Sequence, residues 1–338
     1  MINISTPFTP TVIALFLTSI LVVFVAMWPF SKKWNPRGQH CYVTGGSAGL
    51  GLALAVLLAK HGAHVSIVAR DREKLRKALE EVEKARQTSA QIFKSYSYSL
   101  SDSQAAEDAL KAASEPHGGK APDAVFLCAG TAHLGYFVEQ TPETLQRGME
   151  SSYWVAAYTA LAYTKRVVQE KKRGKLTFVS SVLGYMSIVG YSSYSPAKHA
   201  MRGLAETLRS ELLLYGTSVH ICFPTTIYSP GYEEENKTKP AVTLKIEETD
   251  EGQTPEQVAQ ALFKGVQNGH FHIGTNLLGD IFRSSTRGVT PRNNLILDSV
   301  YALIGSIGLP IWRWTVDSTV KGHREEHNRY LREKGLTN

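Results

Sequence analysis

The sequence has little cysteine, and its cysteines and histidines form no metal-binding pattern. Cys41, Cys128 and Cys222 are the three cysteines of the chain, and each lies in an apolar run typical of a strand. Because they lack the spacing of a zinc site or of a disulfide framework, we predict neither a metal site nor a disulfide. Unpaired cysteines also suit a reducing compartment.

The sequence also lacks internal repeats and a recognisable nucleic-acid-binding module. Because no such module is present, we predict no nucleic-acid partner. The net charge of +7 and the pI of about 9.1 are then compatible with binding to an anionic lipid or a phosphorylated cofactor. Hydrophobic residues make up 43% of the 338 residues and charged residues 20%, which excludes a disordered chain. This length fits one large domain with attachments at both ends.

Charged residues are absent from residues 12–27, which consist mainly of Ile, Leu, Val and Phe. An apolar segment of about 17 to 20 residues is long enough to span a bilayer. Basic residues follow it at Lys32, Lys33 and Arg37, whereas a cleaved signal peptide would carry them in front. We therefore predict an uncleaved membrane anchor over residues 1–37, with the main domain on the cytosolic side.

Beyond residue 40 the sequence alternates short apolar runs with longer segments of helical periodicity. Strands are predicted at residues 41–44, 64–69, 92–98, 124–128, 175–180 and 219–223. Helices are predicted at residues 50–61, 71–87, 101–114, 144–172 and 196–215. Gly62 is the expected C′ residue of the first helix, and Ser101 the expected N-cap of the third. This alternation predicts an α/β fold with a doubly wound parallel sheet, the Rossmann fold, over residues 38–280.

Two later segments depart from this alternation. Residues 229–252 are polar and rich in Lys and Glu, and a connection of that length is typical of a lid or a disordered segment. Residues 295–314 are apolar between basic flanks. Their run is interrupted by Asp298, Gly305, Gly308 and Pro310. A spanning helix would be more continuous, so we expect a re-entrant or interfacial membrane segment within a tail at 281–338. A soluble helix for homo-oligomerisation is the alternative.

A glycine-rich turn follows the first predicted strand. The segment TGGSAGLG, residues 44–51, lies between this strand and the first helix. Glycine lets the backbone approach a pyrophosphate closely, and a helix N-terminus supplies free N–H groups and partial positive charge. The strand–turn–helix context therefore predicts a dinucleotide-binding site. Its predicted cofactor-binding residues are Gly45, Ser47, Ala48, Gly49, Leu50 and Gly51.

The end of the second predicted strand carries basic residues. An NAD site usually places an acidic residue there for the ribose hydroxyls, but this chain has Arg70, with Arg72 close by. Because a guanidinium suits a 2′-phosphate, we predict NADPH as the cofactor, bound by both arginines. Because Asp71 is an acidic residue at this position, NADH is not excluded as the cofactor. The arginines could instead be surface charges at a helix start.

Three residues of the chain form a candidate acid/base group. Tyr194 and Lys198 are four residues apart at the beginning of a helix and therefore share one face. A nearby ammonium favours the phenolate and lowers the tyrosine pKa. Ser181, just past the fifth predicted strand, could donate a hydrogen bond to a substrate carbonyl. The Tyr-x-x-x-Lys spacing alone is common, so only the three residues together indicate acid/base chemistry.

The glycine turn, Ser181 and the segment YSPAK at residues 194–198 together resemble the short-chain dehydrogenase/reductase family over residues 38–230. The resemblance implies that Tyr194 donates a proton to a carbonyl oxygen and that Ser181 orients the substrate. It also implies that Lys198 tunes the tyrosine pKa and binds the nicotinamide ribose. The cofactor would supply a hydride from C4 of the nicotinamide.

A closer resemblance within that family lies in the polar stretch. The segments SPGYEEENKTKP, residues 229–240, and MRGLAE, residues 201–206, are similar to those of the 3-ketodihydrosphingosine reductases. That group also resembles this chain in its apolar N-terminal segment and apolar tail on the endoplasmic reticulum. The resemblance implies NADPH-dependent reduction of a long-chain sphingoid ketone, a lipid, at that membrane. A steroid or retinoid dehydrogenase of the same family and an NADPH-binding scaffold of low turnover are the alternatives.

The chain departs from the family pattern at three places. It reads LCAG at residues 127–130 where Asn-x-Ala-Gly is usual, and it has Ser99 where an Asp is usual after the third strand. Ser152 replaces the Asn that commonly interrupts the fourth helix. The last departure puts the family's proton-relay water in doubt, but Ser181, Tyr194 and Lys198 are all present.

Overall fold

The computed structural model describes residues 33–337 together with Thr18 and Ser19. Apart from those two residues, the apolar segment at residues 12–27 of the predicted membrane anchor lies outside the described part of the chain. The chain divides into two units, Met1–Trp34 and Asn35–Asn338, and the sheet with its helices belongs to the second.

Seven parallel strands form one sheet in the order β3-β2-β1-β4-β5-β6-β7. Their bounds are β1 His40–Thr44, β2 His64–Ala69, β3 Phe93–Ser97, β4 Ala124–Leu127, β5 Lys175–Val179, β6 Ser218–Phe223 and β7 His272–Gly274. The first six agree with the predicted strands to within one residue at each end, which confirms the doubly wound sheet. β7 was not predicted, because its three residues are too few to show a period.

The direction of strand order reverses between β1 and β4, since β1 pairs with β2 on one side and with β4 on the other. In an open parallel sheet this reversal leaves a crevice at the carboxyl ends of the two strands. Of the two strands beside it, β4 is continuously apolar, and its four residues are all buried. The glycine-rich turn follows β1 and residues 128–130 follow β4, so the fold places both segments at the crevice.

The first six helices have the bounds α1 Gly49–Lys60, α2 Arg72–Lys84, α3 Ser103–Ser114, α4 Pro142–Met149, α5 Val155–Gln169 and α6 Ser195–Glu211. The predicted helix at 144–172 is in fact α4 and α5, separated by a π-helical turn at Glu150–Trp154. Gly62 follows α1 with a φ of +83°, as predicted.

The predicted N-cap at Ser101 is wrong by one residue. Asp102 caps α3, because its carboxylate accepts a hydrogen bond from the Ala105 backbone N–H at 2.7 Å.

The polar stretch at 229–252 folds into two short helices, α7 Pro230–Asn236 and α8 Ala241–Glu247. Ser229 caps α7 by accepting a hydrogen bond from the Tyr232 backbone N–H at 3.3 Å. Helix α9, Pro255–Gln267, then packs against α1 and leads to β7. The stretch is therefore an ordered cover rather than a disordered connection.

The tail contains α10 Leu277–Thr286, α11 Leu295–Gly322 and α12 Arg324–Glu333. Helix α11 runs without a break through the expected interruptions. Asp298 forms a buried, two-pronged ion pair with Arg283 of α10, at 2.7 and 3.0 Å. At Gly305 a Cβ would lie only 1.9 Å from the Ser285 Oγ, so the absent side chain permits close packing. Two of the supposed interruptions therefore attach α11 to α10.

Within residues 33–337, α11 is the helix that is long and apolar enough to cross a membrane. Its most apolar window has a mean hydropathy of 1.6, and only 11% of that window is buried.

Candidate active site

A cavity of about 1640 Å³ opens at the carboxyl ends of the central strands. The glycine-rich turn and the ends of β2, β4 and β5 line one part of it, and α7, α8 and α11 line the other. This volume exceeds that of an ordinary small-molecule pocket, about 300 to 1000 Å³. The cavity can therefore take a dinucleotide together with a second, elongated ligand.

The glycine-rich turn forms the floor at one end, and all six of its predicted residues line the cavity. Gly45 has a φ of +67°, and a Cβ there would lie 2.9 Å from the Ala129 backbone N. A Cβ on Gly51 would lie 2.3 Å from the Gly45 carbonyl oxygen. Both positions need glycine, so the turn stays close to the sheet and leaves the start of α1 open. Ala48, the N-cap of α1, forms no side-chain cap, and this end suits a phosphate.

The end of β2 brings two charged residues to the same part of the cavity. Arg70 and Asp71 line it, whereas the lining defined by the described residues does not include Arg72, the first residue of α2. The Asp71 carboxylate accepts a hydrogen bond from the Lys74 backbone N–H at 2.9 Å and so caps α2. Lys74 also lines the cavity. It was not predicted, although its place in the first turn of a helix after Arg70 was visible.

Ser181, Tyr194 and Lys198 meet on the opposite side of the cavity. Ser181 follows β5 and starts a short 3-10 turn, while Tyr194 is the N-cap of α6 and Lys198 lies in its first turn. The Lys198 ammonium lies 5.2 Å from the centre of the Tyr194 ring and donates a hydrogen bond to the Val179 carbonyl at 3.1 Å. The Ser181 hydroxyl is hydrogen-bonded to the Tyr194 phenol. The predicted acid/base group is thus assembled.

The electrostatics of this group differ from the expectation. Burial and the Glu235 carboxylate raise the pKa of Tyr194, and the hydrogen bond from Ser181 only partly offsets them. Burial lowers the pKa of Lys198 to about 8, opposed by Glu235 and Cys128. We predicted a lowered tyrosine pKa, and that expectation is wrong, because desolvation and Glu235 raise it. The phenol is therefore held protonated, as a proton donor must be.

The π-helical turn contains the serine that departs from the family pattern. Ser152 is fully buried, and its hydroxyl donates to the Thr131 carbonyl at 3.0 Å. Ser151 donates to the same carbonyl at 3.1 Å. Both hydroxyls hold the loop after β4 in place beside Gly130, where an added Cβ would lie 3.6 Å from the Lys198 Nζ. Ser152 thus supports the wall next to Lys198 through the backbone.

At the other departures, the Ala129 backbone N–H donates to the Thr44 Oγ1 at 3.1 Å, which ties β4 to β1. The hydroxyl of Ser99 is paired with Ser101 at 3.1 Å.

Helices α7 and α8 add a charged group that was not predicted. The Glu247 carboxylate accepts a hydrogen bond from the Tyr191 hydroxyl at 2.6 Å and pairs with the Lys239 ammonium at 2.6 Å. The side chain of Lys239 is 1% exposed. Glu235 lines the cavity on the side of Tyr194 and Lys198 and influences the pKa of both. Nothing in a polar run of the sequence distinguishes these residues from solvent-exposed charges.

Helix α11 supplies an apolar wall. Ile304, Leu309 and Trp312 line the cavity, and Gly308 lies between them. Leu303, Ile307, Ile311 and Trp314 of the same helix are largely exposed. One helix therefore contributes both to the cavity and to an apolar outer surface.

Comparison with solved structures gives the same fold. A short-chain dehydrogenase/reductase of Burkholderia phymatum, solved with NAD, has a TM-score of 0.65 at 18% identity and covers 72% of this chain and 91% of its own. A dehydrogenase of Agrobacterium tumefaciens, solved with bound NADP, has a TM-score of 0.59 at 24% identity and covers 71% of this chain and 96% of its own.

Curated relatives match over more of the chain. A 3-ketodihydrosphingosine reductase of Cryptococcus neoformans is 46% identical over 331 residues, covering 96% of this chain and 98% of the relative. A 3-dehydrosphinganine reductase of Danio rerio is 35% identical over 283 residues, covering 83% and 84%. The family pattern described as short chain dehydrogenase matches residues 39–240. The chain therefore belongs to the short-chain dehydrogenase/reductase family of oxidoreductases.

Proposed function

We propose that this protein reduces the ketone of 3-ketodihydrosphingosine to the alcohol dihydrosphingosine with NADPH. The observation that carries the proposal is the meeting of Ser181, Tyr194 and Lys198 between a dinucleotide-binding turn and an apolar wall. The relatives named for this reaction match the chain almost from end to end, including α7, α8 and the tail. The substrate is therefore a long-chain lipid ketone.

The chain's own residues supply the proton and hold the carbonyl. Ser181 donates a hydrogen bond to the carbonyl oxygen, and Tyr194 gives its proton to that oxygen as the alcohol forms. The Lys198 ammonium then stabilises the phenolate that remains. When bound, the nicotinamide supplies the hydride to the ketone carbon. The raised pKa of Tyr194 fits this direction, because the phenol remains protonated until the transfer.

NADPH is favoured over NADH by the charges at the end of β2. Arg70 and Lys74 line the cavity there, so two cations are available for a 2′-phosphate. Asp71, the residue that kept NADH open, is already engaged as the cap of α2. Gly45, Ser47, Ala48, Gly49, Leu50 and Gly51 would hold the pyrophosphate. Arg72 would add charge from outside the cavity lining.

The membrane is the proposed location. Residues 1–37 would form the anchor, residues 38–280 the reductase domain and residues 281–338 a membrane-associated tail. The exposed apolar face of α11 supports an interfacial position for the tail. We place the protein on the endoplasmic reticulum with the domain in the cytosol, where NADPH is supplied. Protease added to sealed microsomes should digest the domain. Asn236 begins an Asn-Lys-Thr acceptor sequence that can be glycosylated only in the lumen, so it should carry no glycan.

A substrate panel tests the function. Purified full-length protein in detergent is given NADPH with 3-ketodihydrosphingosine, a 3-ketosteroid or retinal, and NADPH oxidation is followed by absorbance. We expect the sphingoid ketone to be reduced at least about tenfold faster than the steroid or retinal, because a site that binds a substrate's polar groups rejects analogues that lack them. Preferred reduction of the steroid or retinal, or NADPH binding without turnover of any of the three, would overturn the proposal.

A further inference from the structure

Two carboxylates, one from α7 and one from α8, line the cavity, and they differ in their partners. Glu247 of α8 is fully engaged, with a hydrogen bond from Tyr191 and an ion pair with Lys239, both at 2.6 Å. Its side chain is 11% exposed. Charge and hydrogen bonding at Glu247 are therefore satisfied within the protein.

Glu235 of α7 has no such partners. Its carboxylate makes no hydrogen bond or ion pair with any residue that the structure describes, although the residue is half-buried and lines the cavity. The nearby cations are Lys239 and Lys198. Lys239 is committed to Glu247 at 2.6 Å, and Lys198 donates to the Val179 carbonyl. Glu235 is thus a carboxylate on the cavity wall that lacks a counter-ion of its own.

The surroundings of Glu235 favour the arrival of a cation. Burial and Glu247 raise the pKa of Glu235, and Lys239 and Lys198 only partly oppose them. A half-buried carboxylate without a partner is costly to keep ionised, so a ligand that brings positive charge would be stabilised there. Glu235 also lies close enough to Tyr194 and Lys198 to influence the pKa of each. A cation at Glu235 would therefore lie beside the reacting centre.

The proposed substrate carries such a cation on the carbon next to its ketone. With the carbonyl oxygen at Tyr194 and Ser181, the amino group is one carbon away from the reacting carbon. Its ammonium form would be repelled by Lys198 unless an anion lay nearby. We infer that Glu235 binds the ammonium of the substrate and so selects ketones that carry an adjacent amine, an inference that rests on the proposed function.

The test compares the natural substrate with a neutral counterpart. Wild type and Glu235→Gln are assayed as full-length proteins with 3-ketodihydrosphingosine and with its N-acetyl derivative, which keeps the ketone and chain but has no charge. Loss of a charge-assisted hydrogen bond should lower kcat/KM for the amine by about 10- to 150-fold. We expect the N-acetyl substrate to change by less than about 3-fold. Glu235→Asp should retain most of the preference for the amine.

Glu234→Gln is the matched control, since it removes the same charge from the adjacent residue of α7. The Glu234 side chain is 73% exposed and pairs with Lys237 in solvent. We expect no change with either substrate.

Three outcomes would overturn the inference. Equal losses for both substrates in Glu235→Gln would show a merely structural role, and unchanged kcat/KM for the amine would show that Glu235 does not bind it. In both cases wild-type turnover of 3-ketodihydrosphingosine would leave the proposed function standing. Wild-type protein that reduces the N-acetyl ketone but not the amine would instead overturn both this inference and the proposed function.

Discussion

The two ends of the cavity are built in different ways. The proposed cofactor end is formed mainly by backbone from one short turn, with Gly45 and Gly51 held against the sheet where a Cβ would collide. Arg70 and Lys74 add charged side chains beside it. The substrate end consists of side chains from three separate segments, namely α7, α8 and α11. A backbone cradle can serve any dinucleotide enzyme of this fold, whereas side-chain walls can change with the substrate. Under the proposed function, cofactor binding would depend on the fold and substrate specificity on the later helices.

The largest expected effect separates chemistry from cofactor binding. Tyr194→Phe removes the proton donor without touching the glycine-rich turn, so turnover should fall by about 100- to 10,000-fold. NADPH affinity, measured by fluorescence titration, should change by less than about 3-fold. Lys198→Ala should lower both turnover and NADPH affinity, because Lys198 would also bind the nicotinamide ribose. Near-normal turnover by Tyr194→Phe would contradict the proton-donor role.

The second effect tests whether the substrate end depends on the attachment of α11. Arg283→Ala leaves the buried Asp298 carboxylate without its partner, and breaking such a pair costs about 3 to 5 kcal/mol. We expect a lower denaturant midpoint in detergent and a higher KM for the lipid. The control is Arg76→Ala, whose pair with Glu80 is exposed and should contribute less than about 1 kcal/mol. Equal destabilisation by the two variants would argue against the buried pair as an attachment.

The third effect alters the cofactor end alone. Arg70→Ala should weaken NADPH binding by about 10- to 150-fold and NADH binding far less, because only NADPH carries the 2′-phosphate. Arg72→Ala is the control, since its side chain lies outside the cavity lining given by the described residues, and it should change the NADPH-to-NADH ratio less. Parallel weakening of both cofactors by Arg70→Ala would show that Arg70 does not discriminate between them.

The smallest effect is a pH dependence. The pKa of Lys198 is lowered to about 8, so the ammonium is present below that pH and is lost as pH rises through it. We expect kcat/KM for ketone reduction to fall above about pH 8, approaching tenfold per pH unit. A rate that is constant or rising through this range in a steady-state pH profile would show that the charge of Lys198 is not required.

The same contrast explains how much could be predicted from the sequence. Strands β1 to β6 and the glycine-rich turn could be predicted from local pattern. Short apolar runs in that order, with a TGGSAGLG turn after the first, are typical of a dinucleotide-binding α/β fold. Tyr194 and Lys198 were predictable because four residues place them on one helical face.

The substrate end depends on contacts between distant segments. Tyr191, Lys239 and Glu247 are brought together only when α8 folds over the start of α6. Glu235 and Glu234 are adjacent and identical in the sequence, and both border the cavity, yet Glu235 is half-buried without an ion-pair partner among the described residues and Glu234 pairs with Lys237 in solvent. Asp298 was expected to interrupt an apolar helix, and its partner Arg283 lies in a different helix. No local pattern contains that information.

Transfer of a labelled hydride tests whether this protein reduces the ketone with hydride from NADPH. Full-length protein is given 3-ketodihydrosphingosine and NADPH that carries deuterium at both C4 positions, and the product is analysed by mass spectrometry. We expect dihydrosphingosine with one deuterium on the carbon of the new hydroxyl group, formed by Tyr194→Phe about 100- to 10,000-fold more slowly than by wild type. Absence of this product, or a product without deuterium at that carbon, would contradict the assignment of this chain as the ketone reductase.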